Sequence, residues 1–372
     1  MSQNNIIQQT YQLGQSIWLD FIDRKLVQSG ELKKLIHEDG LRGMTSNPAI
    51  FEKAISSGDQ YTEQIRQLSA DKTSNKTNEE IFYSLAIDDI QAAADLFKSV
   101  YEEKVKGADG YVSLEVSPNL ARNTTETVNQ AVVLWGKVAR QNVMIKVPGT
   151  TEGLPAIRHL IGEGININVT LLFGLERYQQ VIEAYISGLE DRVSAGESVD
   201  GIASVASFFL SRIDVLLDPV LQEKGLQELK GQVAIALAKK AYQLYKKAFS
   251  SDRWKALAEK GARPQRLLWA STSSKDPSFP DTKYVDALIG KETVDTVPME
   301  TFHAFRDHGH VAETLESDLP AADQLLDSLR KNGIDMNGVA QHLENEGIGK
   351  FVQPYDKLLK AIEGKKQQLA QV

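Results

Sequence analysis

The chain contains no cysteine, which excludes a disulfide framework, a thiol nucleophile and a thiolate metal site. No apolar run approaches the ~18 residues that a membrane-spanning helix needs. The opening segment, MSQNNIIQQTYQLGQ, lacks the basic start and continuous apolar stretch of a signal peptide. Positive charge is not in excess either: 42 Lys and Arg face 50 Asp and Glu, for a formal net charge of −8. An acidic surface without a strong basic patch repels phosphate backbones, so nucleic acid is not an expected partner. No Gly/Ser-rich linker or low-complexity tract divides the 372 residues. Length alone favours two domains, but an α/β barrel with insertions fills it as one. The expectation is a cytoplasmic protein without membrane association, reading as a single unit over 1–372; the sequence leaves a homo-oligomer open.

What is present is a regular alternation. Short β-like runs occur at 16–22, 41–47, 111–116, 142–147, 164–173, 201–209, 266–271 and 294–297. Between them lie amphipathic stretches with helical spacing, among them 78–104, 124–141, 174–193 and 226–249. Eight strand candidates separated by helices predict parallel βα units and a (βα)8 TIM barrel. Extra helices are expected within 52–110. From Pro298 onward the pattern is purely helical (299–308, about 320–331, 335–346 and 354–370), giving a C-terminal extension from about 311 that wraps the barrel's outside.

Within several strand candidates, polar residues share one parity against an apolar stripe. Ser113 and Glu115 oppose Val112, Leu114 and Val116; Asn168 and Thr170 oppose Ile167 and Val169; Asp20 opposes Leu19; Lys146 opposes Ile145 and Val147. Strand side chains alternate faces, so in a barrel the apolar parity meets the helices and the polar one lines the interior. Lysine is depleted both in strands and in interiors. Polar groups at strand C-terminal ends stand where barrel active sites are built. An amine in a partly dry cavity loses stabilisation of its charged form and becomes available as a nucleophile. It can condense with a ketone to a Schiff base whose protonated imine accepts the electrons of a breaking carbon–carbon bond. Asp20 and Glu115 supply the carboxylates that such proton transfers require. Neither cofactor nor metal is needed.

At these residues the chain resembles the transaldolase family. The resembling segments are MTSNPAIFEKAI (44–55), VSLEVSPNLA (112–121), MIKVPGTTEGLPAI (144–157), GININVTLLFGLERY (164–178), ASVASFFLSRID (203–214) and LLWASTSSKDP (267–277). The long 52–110 region and helical tail suggest its longer bacterial subgroup. The resemblance implies transfer of a dihydroxyacetone unit from sedoheptulose 7-phosphate to glyceraldehyde 3-phosphate. The products are erythrose 4-phosphate and fructose 6-phosphate, in the non-oxidative pentose phosphate pathway. It implies Lys146 as the Schiff-base lysine and Asp20 as the acid/base at the donor's C4 hydroxyl. Glu115 and Thr170 would position the water that shuttles protons. Asn47, Asn168 and Ser207 would bind the dihydroxyacetone hydroxyls, with Thr45 beside them, and Arg212 would bind phosphate.

Three departures from the family pattern stand out. Ser207-Phe208-Phe209 replaces a frequent Ser-Pro-Phe, and the first element reads Thr-Ser-Asn-Pro. The loop 270–277 lacks a second phosphate arginine and offers Lys275 instead, a point charge without a bidentate fork. The resemblance also implies a Phe near the serine that borders the reactive centre, where ketone-releasing aldolases tend to carry Tyr, and Phe209 fits the transferase side; a transferase must keep water from its three-carbon intermediate. His303, His308 and His310 lack the helical spacing of a metal pair. Two rivals share this sequence signature: a Schiff-base aldolase releasing free dihydroxyacetone, and a non-catalytic sugar-phosphate-binding barrel.

Overall fold

Alternation along each strand has a direct consequence in three dimensions. In the computed structural model, which describes residues 5–70, 76–103 and 105–369, eight short strands form. They are β1 (Gln15–Asp20), β2 (Gly43–Thr45), β3 (Val112–Glu115), β4 (Val143–Pro148), β5 (Ile167–Leu172), β6 (Ser204–Phe209), β7 (Arg266–Ala270) and β8 (Thr293–Val297). Each pairs in parallel with the next, and β8 closes on β1, so the barrel has no edge. Residues 71–75, within the expected 52–110 helical region, and residues 104 and 370, at the ends of two expected helices, lie outside the described residues.

Register carries the polar parity to one end of the lumen. Asp20 lies beside Thr45, Glu115 beside Lys146, Lys146 beside Asn168 and Pro148 beside Thr170. Neighbours in register point the same way. The opposite parity, including Ile17, Leu19, Val112, Val143, Ile145 and Ile167, is completely buried. Burial of each such side chain contributes about 1.5–3 kcal/mol, which drives the helices onto the outer face.

The helices follow local signals. Asn47 caps the helix Pro48–Ser56, accepting from the amide of Ile50 at 3.0 Å, with Pro48 in its first turn. Thr77 and Glu80 form a capping box at Asn78–Leu96. The helix Leu319–Lys331 has a proline in its first turn and is followed by Gly333 at φ +72°. The stretch expected as one helix from 226 begins only at Val233, because Gly231 is left-handed and separates it from a single 3-10 turn.

The tail differs from expectation. Instead of two helices at 335–346 and 354–370, one helix runs Met336–Leu369 with Pro354 inside it. It packs along Pro48–Ser56 and Asn78–Leu96 and also touches β5. That packing outweighs the local breakers Gly347, Gly349 and Pro354. The helix therefore crosses the barrel's C-terminal mouth as well as its flank. No helix among the described residues is long and apolar enough to cross a membrane.

Candidate active site

At the C-terminal ends of the strands lies a cleft of about 200 Å³. Its walls include Asp20, Thr45, Asn47, Lys146, Thr170, Ser207, Phe209, Arg212 and Lys275. Nine of the eleven candidate residues thus come together from six strands and their following segments. Glu115 and Asn168 do not line the cleft; they stand behind it, hydrogen-bonded or paired to residues that do.

Lys146 answers the question its strand poses. It is only 5% exposed, so its stem does not carry the amine to open water. Its Nζ donates to the backbone carbonyl of Ser46 at 2.9 Å and lies 3.1 Å from Glu115 Oε2. That ion pair lies off hydrogen-bond alignment: both Glu115 oxygens are buried without a hydrogen-bond partner among the described residues, as is the Thr170 hydroxyl. Burial pushes the Glu115 carboxyl upward, against the opposing pull of Lys146. Asp20, at the end of β1, is likewise pushed up by burial, with Lys146 and the Thr45 hydrogen bond acting the other way. Thr45 Oγ1 donates to Asp20 at 2.7 Å, so its 2.7 Å contact with Thr296 must use the Thr296 proton.

A second chain of hydrogen bonds crosses the floor. Ser207 donates to Asn168 Oδ1 at 2.7 Å, and Asn168 Nδ2 donates to Ser113 at 3.1 Å. Asn168 therefore holds Ser207 in place, with its own groups largely committed. Asn47, whose oxygen caps a helix, keeps its amide donors for the cleft.

Strain aims the rim. Leu171, directly after Thr170, is buried with φ +62°, and the β5–β6 register shifts between Val169 and Leu172. A branched residue in the left-handed region costs about 1–3 kcal/mol and is held only by its surroundings. Here the kink leaves Thr170 on the cleft and Leu171 against the C-terminal helix, where a Cβ on Gly347 would lie 3.0 Å from its Cδ2. Arg212 occupies the first turn of the helix Ser211–Glu223, where backbone N–H groups favour anions. Its Nη1 is buried without a partner among the described residues, and burial lowers its proton affinity. Lys275 donates to Ser273 at 2.5 Å on the same cleft.

The cleft also contains residues that sequence reasoning passed over: Ser271, Ser273, Thr296, Glu300 and Phe351. Thr296 also lies on the inward parity of its strand, but Asp295 puts a polar residue on the opposite parity, so alternation did not single it out. Phe351 carried none, since it arrives on a distant helix. The set-aside histidines serve surface contacts: His308 meets Asp281 at 2.9 Å and Asp307 at 3.2 Å, and His303 meets Arg306.

A closed parallel barrel that buries a lysine against a carboxylate at its C-terminal mouth defines an enzyme of the class I, Schiff-base aldolase kind. A family described as "Transaldolase/Fructose-6-phosphate aldolase" matches residues 17–362. "Transaldolase" of Trichodesmium erythraeum (strain IMS101) is 48% identical over 373 residues, covering 97% of each chain. "Transaldolase 2" of Nostoc sp. (strain PCC 7120) is 48% identical, covering 96% of this chain and 97% of its own. "Transaldolase" of Saccharopolyspora erythraea is 45% identical, covering 97% and 98%. The chain belongs to the transaldolase/fructose-6-phosphate aldolase family and is a transferase of the transaldolase type, acting on sugar phosphates.

Proposed function

We propose that Lys146 is the Schiff-base lysine of this transaldolase, with sedoheptulose 7-phosphate or fructose 6-phosphate as donor. The observation that carries the assignment is its amine, buried at the floor of a polar cleft 3.1 Å from Glu115. The amine adds to the donor's C2 carbonyl, and loss of water leaves a protonated imine. Glu115 and Thr170, buried with open hydrogen-bonding capacity, are suited to hold the water that carries protons through this step. Asp20, its proton affinity raised by burial, takes the C4 hydroxyl proton. The C3–C4 bond breaks, its electrons enter the imine, and an aldose phosphate leaves. The acceptor aldehyde is then attacked by the enamine, Asp20 returns the proton to the new hydroxyl, and hydrolysis frees Lys146.

Asn47 and Ser207 serve the dihydroxyacetone hydroxyls, with Asn168 fixing Ser207. Arg212 takes the phosphate through its unpartnered N–H, aided by the helix N-terminus, and Lys275 adds a second cation. Such an enzyme fits the cytoplasm, where sugar phosphates are held.

Borohydride treatment with fructose 6-phosphate, followed by peptide mass mapping, tests this reading. A reduced three-carbon adduct on Lys146 is expected, and Lys146→Met should abolish both adduct and turnover while the fold persists. Adding erythrose 4-phosphate before the reductant should discharge the adduct into sedoheptulose 7-phosphate. Discharge as free dihydroxyacetone instead would make the chain an aldolase. An adduct on another lysine, or full activity in Lys146→Met, would remove Lys146 from the mechanism.

A further inference from the structure

We infer that Phe351, on the C-terminal helix, is a specificity-determining residue that sets whether the three-carbon intermediate is transferred or lost. The enamine on Lys146 has two fates. Its carbon attacks the acceptor aldehyde, forming a carbon–carbon bond while the aldehyde oxygen takes a proton. Alternatively, the carbon takes a proton from water, and hydrolysis of the resulting imine yields dihydroxyacetone and the free amine. The second route needs water at the reactive carbon, so whatever covers that carbon controls the ratio.

Phe351 is in position to do so. Its ring is buried and lines the cleft, with its centre 5.9 Å from Lys146 Nζ. It lies 6.5 Å from the Phe209 ring, which in turn lies 5.3 Å from Phe173. Phe351 and Phe209 thus form an apolar wall on an otherwise polar cleft, with Phe173 packed behind Phe209. Phe351 is its one member brought by the C-terminal helix. The same ring lies 5.7 Å from the Arg212 guanidinium carbon, which sits 5.4 Å from Phe209 on its other contact. Ring faces at these distances attract a cation, so Phe351 also helps set the phosphate-binding arginine. One helical turn earlier, Gly347 brings the helix down onto the strained Leu171. This close approach fixes the height at which the Phe351 ring meets the cleft. Phe209 alone, placed at the end of β6, covers one side only.

The inference rests on Lys146 as the Schiff-base residue, and its test separates the two. Phe351→Ala and Phe351→Leu are assayed for borohydride-trapped Lys146 adduct, for transfer, and for dihydroxyacetone released from fructose 6-phosphate without acceptor. The adduct should persist in both variants. The ratio of release to transfer should rise about tenfold in Phe351→Ala and by less in Phe351→Leu, the scale of one lost apolar contact at a reacting centre. Leu keeps most of the packing, so it retains the test if the Ala variant fails to fold. Equal losses of transfer and release, leaving the ratio at its wild-type value in whichever variant folds, would reduce Phe351 to a packing residue. Absence of adduct in the wild type would instead overturn the Lys146 assignment.

Discussion

At a single residue, burial decides what a carboxyl group can do. Asp20, Glu115 and Asp295 are all drawn out of water, and burial pushes each of their carboxyls upward. Asp20 lines the cleft and Glu115 lies behind it against Lys146, positions where a stronger base is useful. Asp295 faces neither. It lies on the outward parity of β8, in register with Ile17 and Trp269, fully buried. Neither of its oxygens has a hydrogen-bond partner among the described residues, and its carboxyl is pushed up to about 8, with Thr272 opposing weakly. The folded chain therefore keeps this proton to about pH 8, whereas an unfolded aspartate releases it near pH 4. Between those values the native state binds more protons, so this group's contribution to stability falls as pH rises. Asp295→Asn has the same shape and no titration. Its stability relative to wild type should improve with pH across that window, by up to about 1.4 kcal/mol per unit. Urea midpoints near pH 5 and pH 8 measure this; a constant difference would show that Asp295 takes up no proton on folding.

Among the elements, the turn after β4 is the most constrained. A Cβ on Gly153, which opens the helix Gly153–Gly162, would lie 1.9 Å from the carbonyl oxygen of Pro148, the last residue of β4. Gly153→Ala must therefore separate strand from helix. A loss of about 3 kcal/mol in stability is expected, together with reduced turnover, because Lys146 lies two residues before Pro148 on the same strand. Urea unfolding and kcat check both, and unchanged kcat in a destabilised variant would show that Lys146 is held independently of this turn. The strands themselves were readable because each writes its two faces as alternate letters, Lys146 between Ile145 and Val147 being the plainest case. Their ends were less so: β2 shrinks to Gly43–Thr45 because Asn47 and Pro48 already begin a helix. The C-terminal helix misled, since Gly347, Gly349 and Pro354 are local breakers overridden by packing that no local window contains. Phe351 was illegible for the same reason. Its chemistry depends on which strand end it meets, and only the tertiary fold specifies that.

Across the whole molecule, the barrel has two polar ends that differ in kind. At the N-terminal mouth, beside a cleft of about 930 Å³, Asp109 accepts from Ser16, from Trp18 at 2.7 Å, and from Arg42 and Arg266. Its charge is satisfied by the fold. At the C-terminal mouth, Glu115, Thr170 and Arg212 retain buried polar atoms without partners among the described residues; unlike the equally unpartnered Asp295, they gather at or directly behind one cleft, where water or substrate can satisfy them. Arg212 and Lys275 line that cleft in a molecule of net charge −8. The two influences have different ranges. At about 0.01 M salt the Debye length is about 30 Å and the whole acidic surface repels a phosphorylated donor; at about 0.15 M it is about 8 Å and mainly the cleft cations act; near 1 M it is about 3 Å. The kcat/KM for fructose 6-phosphate should thus rise a few-fold with the first increase in salt and fall toward molar salt. Fructose, without the phosphate, should show neither limb. Arg212→Gln should keep the rise and flatten the fall. A monotonic decrease from the lowest salt would mean that the cleft cations, not the net charge, govern approach at every distance.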